Sequence, residues 1–169
     1  TDSSLDLDFV LQALNWYKEK SGSIPEYWVH LRPTTPLRDP LEIDNAIEYI
    51  LNNKYLTSLR SAHLSPESPF KWFFRNKEGC FESLLNSNTS KEFYNKPKQD
   101  FSDVYVPNGY VDILKASHIL NSNTLHGNKI FGYKTNFCSE IDSKDELEYI
   151  RYQINVGRYK IYDYLNDLI

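Results

Sequence analysis

The chain has 169 residues, of which 25% are charged and 40% hydrophobic, with a formal net charge of −4 and a mean hydropathy of −0.58. This length is sufficient for one domain with a core, and this composition is typical of a soluble globular protein rather than a disordered one. The acidic net charge argues against binding that depends on counterion release, so we expect no nucleic-acid partner.

Neither the cysteines nor the hydropathy point to export or to a membrane. Cys80 and Cys138 lack the dense spacing of a disulfide scaffold or a zinc site, which favours a reducing cytoplasm. No run approaches the roughly 18 apolar residues of a membrane helix, and no signal-peptide pattern opens the chain. The chain begins at Thr1 and contains no methionine, so we expect that other residues preceded it.

The first third of the chain predicts alternating helices and strands. Apolar residues at helical spacing predict a helix over residues 5–20, and the aromatic and branched residues 27–31 predict a buried strand. A second helix is predicted where Asp39 can serve as the N-cap and Pro40 occupies the first helical position. Residues 58–64 predict another strand. This order indicates an α/β fold in which helical crossovers join parallel strands.

The middle of the chain predicts a more antiparallel arrangement. Short strands and turns alternate there, with strands predicted at residues 70–74, after the turn at 76–79, and at 104–106, 110–114 and 129–133. A last helix is predicted to follow Ser143, because Ser143 and Glu146 have the spacing of a capping box.

The turn after the first predicted strand is a candidate wall of a binding site. Residues 32–38 carry two arginines and two threonines that could hold phosphate or carboxylate oxygens. In open α/β sheets, ligands bind beyond the carboxyl ends of the parallel strands, where this turn is expected to lie. The alternative is a purely structural turn shaped by Pro33 and Pro36, with Arg38 paired to an acidic neighbour.

Two carboxylates near the last predicted helix form a candidate metal site. If Glu140 and Asp142 end a strand, their side chains share one face and could bind a magnesium ion that bridges a nucleoside triphosphate. The alternative is a solvated strand end, where acidic residues favour the dipole of the following helix.

Other polar residues are ambiguous by themselves. Lys71 lies within an aromatic run and either points to solvent or supplies a cation to a cleft. Lys98 is open to the same two interpretations, and Asn108 precedes a glycine, a pair that most often forms a turn. The four histidines show no metal-ligand spacing, and the sequence assigns no nucleophile.

Taken in order, these segments resemble the acylneuraminate cytidylyltransferases, also called CMP-sialic acid synthetases. The similar segments are specific as an ordered set, and they comprise residues 30–38, 68–71, 97–99, 106–112 and 140–143. The resemblance implies a Rossmann-like nucleotidyltransferase domain over residues 1–169, with three layers around a mostly parallel sheet. It also implies a homodimer, with a small antiparallel dimerisation insertion at about residues 104–135.

The same resemblance implies a reaction. The anomeric hydroxyl of a sialic-acid-like nonulosonic acid attacks the α-phosphate of CTP, and pyrophosphate leaves. Such a transfer requires cations around the phosphates and donors for the sugar carboxylate. Carried over by position, Glu140 and Asp142 match the residues that bind Mg²⁺, and Arg32 matches a residue that contacts the sugar.

The remaining positions complete the implied site. Lys71 and Lys98 match basic residues on the sugar and phosphate side, and Asn108 matches an asparagine that lines the same cleft. Lys71 and Asp142 are the implied catalytic residues. No membrane partner is implied.

Several positions depart from the family pattern. Glu140 stands where aspartate is usual, Lys98 where arginine is usual, and Arg32 where glutamine is common. The glycine-rich nucleotide loop and first strand of the family have no counterpart, so we expect a fold that is incomplete at the amino terminus and an isolated chain that is inactive. The alternatives are the same reaction on legionaminic or pseudaminic acid, and a non-catalytic relative that binds sugar nucleotides or serves in assembly.

Overall fold

The computed structural model describes residues 5–85 and 92–157, together with residues 159 and 161. The chain forms two compact units. One contains the chain up to Ala62 and from Pro107 onward, and the other is His63–Val106.

Helices and strands alternate along much of the chain. The helices are α1 (Asp6–Ser21), α2 (Pro40–Asn52), α3 (Ala116–Ser122) and α4 (Lys144–Asn155). The strands are β1 (Tyr27–His30), β2 (Ser58–Leu64), β3 (Phe73–Arg75), β4 (Phe81–Ser83), β5 (Tyr105–Lys115) and β6 (Ile130–Lys134). Single 3₁₀ turns occur at Pro69–Lys71, Phe93–Asn95 and Lys98–Asp100.

A four-stranded sheet with the order β1-β5-β2-β6 organises the larger unit. Strand β5 is antiparallel to β1, with His30 opposite Asp112. It is also antiparallel to β2, because Lys115 at its end donates its N–H to the carbonyl of Thr57, just before β2 begins. Strands β2 and β6 pair in parallel. Strands β1, β2 and β6 therefore share one direction, which confirms the predicted mixed α/β fold with a mostly parallel sheet.

Helices cover both faces of this sheet and give it three layers. Val111 and Ile113 of β5 point to one face and Leu114 points to the other, as alternate strand residues do. The first face joins a buried cluster that includes residues of α2, namely Ala46 and Ile50. The second joins a buried cluster with residues of α1 and α3, namely Val10, Leu14, Ala116 and Ile119.

Two predicted helix starts are confirmed in atomic detail. Asp39 accepts a hydrogen bond from the N–H of Leu41 at 3.1 Å, and Pro40 is the first residue of α2. Ser143 accepts from the N–H of Glu146 at 3.3 Å, and the Ser143 hydroxyl donates to the Glu146 carboxylate at 2.7 Å. These local signals position the turn before α2 and the loop before α4.

Strand β5 differs from the prediction. The sequence predicts strands at residues 104–106 and 110–114 with a turn at Asn108, whereas the structure has one continuous strand through this region. The chain passes Gly109 with a φ of 60°, a left-handed conformation that glycine adopts without steric cost. A local kink of this kind inside a strand replaces the predicted reversal.

The separate unit also lies elsewhere than predicted. Residues 104–135 were the predicted insertion, but the structure forms β5, α3 and β6 from this region, and both strands belong to the central sheet. The compact unit that departs from the sheet is His63–Val106. The hydrophobic residues of β5 and β6 therefore contribute to the core of the larger unit. Their sequence pattern is the same in a core strand and in a strand of an insertion.

The smaller unit contains the predicted antiparallel pairing. Strands β3 and β4 form a two-stranded ribbon in which Phe74 lies opposite Glu82. Stacked and edge-to-face rings join Phe70, Phe93 and Phe101. A main-chain hydrogen bond from Ser65 to Val104, 2.8 Å long, joins the two ends of the unit.

Candidate functional site

The carboxyl ends of two parallel strands lead into loops that meet. Residues 32–38 follow β1, and residues 135–142 follow β6. The N–H of Ile141 donates to the carbonyl of Thr34 at 2.8 Å, which joins the two loops directly. Ligands of open α/β sheets bind at this edge, so the geometry agrees with the predicted position of the site.

Three predicted segments converge at Gly109. A Cβ atom at Gly109 would lie 2.8 Å from Cδ of Arg32, 2.8 Å from Oε1 of Glu140 and 3.2 Å from Oγ1 of Thr35. Glycine is therefore required here by crowding as well as by its φ. The structure thus brings Arg32, Asn108 and Glu140, which are far apart in sequence, to one place.

Asn108 is fixed by its surroundings. Its side-chain Nδ2 donates to Oγ1 of Thr135 at 2.7 Å, and its carbonyl accepts from Sγ of Cys138 at 3.5 Å. Burial and the nearby Glu140 carboxylate raise the pKa of Cys138 to about 11, so it is a neutral thiol at physiological pH.

Arg32 is held by an acidic residue of α1. Its Nη2 atom lies 2.5 Å from Oδ2 of Asp6, and the two side chains are 33% and 43% exposed. A sugar carboxylate that binds Arg32 must therefore share the guanidinium with Asp6 or replace it.

Arg38 binds main-chain carbonyls, and the described residues include no acidic partner for it, unlike the structural alternative raised for this turn. Its Nε donates to the carbonyl of Tyr110 at 2.6 Å, and its Nη2 donates to the carbonyls of Gly109, at 3.0 Å, and of Arg32. Within the described ranges, no carboxylate oxygen lies within 4.0 Å of its nitrogen atoms. Half-burial lowers the pKa of Arg38 from its usual value, yet an arginine remains charged at neutral pH.

Glu140 and Asp142 lie in a loop rather than at the end of a strand. Glu140 is half-buried beside Gly109, whereas Asp142 is exposed and its N–H donates to the carboxylate of Glu146. No group of three or more potential metal ligands occurs among the described residues. Glu140 and Asp142 supply carboxylate oxygens, the type of ligand that magnesium takes alongside waters and phosphates.

Lys71 and Lys98 belong to the smaller unit, whereas the convergence at Gly109 belongs to the larger one. Lys71 follows Phe70 in a 3₁₀ turn, not in the predicted strand, because Pro69 starts a helical turn. Its Nζ lies 6.0 Å from the centre of the Phe101 ring. Nζ of Lys98 donates to the carbonyl of Pro66 at 2.7 Å.

A cavity of about 560 Å³ borders the convergence. Leu37 and Arg38 of the predicted turn line this cavity, whereas Arg32, Lys71, Lys98, Asn108, Glu140 and Asp142 do not. Its polar walls come from the turn before α2, from β5 and from the loop after β6, and they include Arg38, Glu42, Tyr110, Thr135, Cys138 and Ser139. Tyr133, beside the cavity, donates to Glu42 at 3.0 Å, and burial with this bond raises its pKa to about 12. Tyr110 was not named as a site residue from the sequence. The aromatic side chain directly after Asn108-Gly109 was the feature that could have indicated it.

A second polar cluster was missed entirely. Asp112 is buried at 5% exposure, and its Oδ1 has no hydrogen-bond partner among the described residues, although Nε of Arg60 lies 3.7 Å away. Burial raises the pKa of Asp112, and it lowers the pKa values of the nearby His30 and His126. These residues come from three strands and a loop, so no local sequence pattern groups them. The one indication in the sequence was the charged Asp112 within the apolar residues 110–114.

Comparison with solved structures shows a structural likeness, whereas comparison with families and curated proteins does not. No family model and no curated protein matches the chain. A solved structure of CMP:2-keto-3-deoxy-manno-octonic acid synthetase, complexed with CTP, aligns with a TM-score of 0.56 and 10% identity. The alignment covers 91% of this chain and 69% of that one. At this identity the likeness shows the fold alone, so the chain shares the Rossmann-like α/β fold of that synthetase. Among the described residues, no helix is both long and apolar enough to cross a membrane.

Proposed function

We propose that the chain is a CTP-dependent transferase that attaches CMP to the anomeric hydroxyl of a sialic-acid-like nonulosonic acid. One observation carries the proposal. The segments that resemble acylneuraminate cytidylyltransferases, around Arg32, Asn108 and Glu140, meet at Gly109 within a fold similar to that of a CMP-sugar synthetase. Separate segments with a common sequence resemblance are expected to meet if they form one site.

The chemistry requires little more than positioning and charge. The anomeric oxygen forms a bond to the α-phosphorus while the bond to the bridging oxygen breaks, pyrophosphate leaves, and the hydroxyl proton passes to a base. In the proposal, Arg32 binds the sugar carboxylate, and Asp142 is the acceptor for the proton or a metal ligand. Mg²⁺ held by Glu140 and Asp142 would supply positive charge to the phosphates. Lys71 and Lys98 remain proposed as basic residues for the same ligands.

The smaller unit supports the proposed homodimer. Its ribbon exposes Phe74 at 60% and Phe81 at 72%, and Trp72 is 45% exposed. On one face of the ribbon, the rings of Phe73 and Phe81 lie 5.6 Å apart and are 39% and 72% exposed, and adjoining apolar side chains of this kind mark interaction surfaces. A second copy of the chain is the proposed partner, with the ribbon of His63–Val106 as the contact, in place of residues 104–135.

Release of pyrophosphate tests the proposal. The chain is assayed with CTP and Mg²⁺ against N-acetylneuraminate, legionaminic acid and pseudaminic acid, with and without an added segment that carries a glycine-rich nucleotide loop. Turnover with any of these acids, lost in Glu140→Gln and kept in the surface control Glu48→Gln, supports the proposal. The acid that gives the highest kcat/KM identifies the substrate.

Binding calorimetry with CMP-N-acetylneuraminate separates the enzyme from the non-catalytic alternative. Binding without turnover, both with and without the added nucleotide-loop segment, indicates a domain that only binds sugar nucleotides. If the chain shows no binding and no turnover, both the enzyme and the non-catalytic binding domain are contradicted.

A further inference from the structure

We propose that Arg38 is the positioning residue of this site, which holds Arg32 and Asn108 in place without contacting the substrate. The expected effect of Arg38 on catalysis rests on the proposed function. Its role in holding the backbone rests only on its hydrogen bonds. It reverses the first interpretation of the turn, in which both arginines were candidates for binding anions.

The contacts of Arg38 span two distant segments. Its guanidinium donates to the carbonyl of Arg32, six residues earlier, and to the carbonyls of Gly109 and Tyr110, about seventy residues later. All three acceptors are main-chain oxygens. Arg38 therefore fixes the backbone of the turn relative to the backbone of β5.

Only arginine suits this arrangement. Its planar fork presents several donors at fixed angles and stays protonated, whereas lysine offers a single compact ammonium group. The site is half-buried, so carbonyls that lost their donors would be poorly compensated by water. An acidic partner would draw the guanidinium away, and no such pair exists in the described chain.

Arg38 binds the backbone of β5 at its kink. Gly109 has a φ of 60°, outside the usual range of a strand, and its carbonyl accepts from Arg38. Asn108, one residue earlier, extends its side chain to Thr135 at the start of the loop that carries Glu140. A shift of the kink is therefore transmitted to Asn108 and Glu140, and a shift of the turn is transmitted to Arg32.

The expected consequence is selective. Arg32 is the proposed contact of the sugar carboxylate, and Asn108 is proposed to line the same cleft, so loss of Arg38 is expected to weaken the use of the sugar more than the use of CTP. Misplacement of a binding group by about 1 Å commonly reduces the rate about 100-fold.

The test compares Arg38→Gly and Arg38→Lys with the surface control Arg151→Lys in the full chain. Amide hydrogen exchange is measured at residues 32–35 and 108–111. We expect exchange at these amides to rise about tenfold or more in both Arg38 variants, and millimolar guanidinium ion to restore protection in Arg38→Gly. Amides of α1 and α3 and the control variant are expected to stay unchanged.

Kinetics supply the functional readout. In Arg38→Lys we expect the KM of the sugar acid to rise about tenfold while the KM of CTP stays within about twofold. Unchanged exchange at residues 108–111 would overturn the proposal, and so would a uniform rise across the larger unit with both KM values shifting together. If the unaltered chain turns over none of the acids, the proposed function fails, while exchange and guanidinium rescue still decide the role of Arg38.

Discussion

The two units of the molecule solve the problem of burying apolar side chains differently. In the larger unit, Leu59 and Ile113 are fully buried between the sheet and α2. All the buried hydrophobic side chains that the described residues contain belong to this unit. In the smaller unit, Phe73, Phe74 and Phe81 are between 39% and 72% exposed.

The difference shows that burial of apolar side chains can stabilise the larger unit but not the smaller one. A segment as short as His63–Val106 has too little interior to stabilise itself by burial, and such segments usually need an added partner or cross-link. Ring contacts such as Phe73 with Tyr94, 4.7 Å apart, contribute only about 0.5–1.5 kcal/mol each beyond burial. A partner surface is therefore the natural source of the missing burial.

The largest expected effect breaks the core of the larger unit. Ile113→Ala removes a fully buried side chain and leaves a cavity, so we expect the free energy of unfolding to fall by about 2–5 kcal/mol. Phe74→Ala is the matched change in the smaller unit, and it is expected to cost below about 1 kcal/mol in dilute solution. Denaturant unfolding measures both, and equal losses would contradict the contrast between the units.

The next effect concerns the crowded kink of β5. Gly109→Ala introduces a Cβ at a φ of 60° and within 2.8 Å of Arg32 and Glu140. Gly157→Ala is the matched control, because Gly157 has the same φ of 60° and no atom of the described residues lies within 4 Å of the added Cβ. Left-handed strain is expected to lower the stability of both variants by roughly 1–2 kcal/mol, and Gly109→Ala is expected to lose more in thermal unfolding. Similar losses would show that the side chains around Gly109 are not tightly held.

A third change sharpens the role of the exposed ribbon. Phe81→Asp places a charge on the proposed dimer surface, and Tyr55→Asp places one on a residue of the larger unit with a similar exposure of 64%. We expect the dimer Kd, measured by sedimentation equilibrium, to rise at least tenfold, about 1.4 kcal/mol, in Phe81→Asp only. A monomeric unaltered chain, or equal effects of both changes, would contradict the proposed contact.

The smallest expected effect is a pH dependence within the larger unit. Burial raises the pKa of Asp112, and the facing charges of Arg60, His126, Arg32 and His30 oppose this shift. A carboxyl group with a raised pKa in the folded state contributes stability below its unfolded pKa of about 3.9 and loses it as the pH rises through the folded value.

Asp112→Asn is therefore expected to match the unaltered chain near pH 3 and to be relatively more stable near pH 7. Urea unfolding across this range measures the difference between the two chains. A difference that stays constant or shrinks as the pH rises would show that Arg60 compensates the buried charge fully.

Local signals in the sequence determined much of the fold. The helical periodicity of α1, the Asp39 and Ser143 caps, and the strands β1 and β2 were predictable because each depends on residues within a few positions of one another. The sequence order of the resemblance also indicated that Arg32, Asn108 and Glu140 belong to one site.

Only the tertiary structure decided the rest. Asn108-Gly109 predicts a turn, yet β5 runs through it as one strand, because contacts with distant residues such as Arg38 outweigh a local turn preference. The carbonyl partners of Arg38 and the surroundings of Asp112 were equally hidden. These contacts join residues about fifty to seventy positions apart, and such neighbours are set by strand order, which no local pattern in the sequence records.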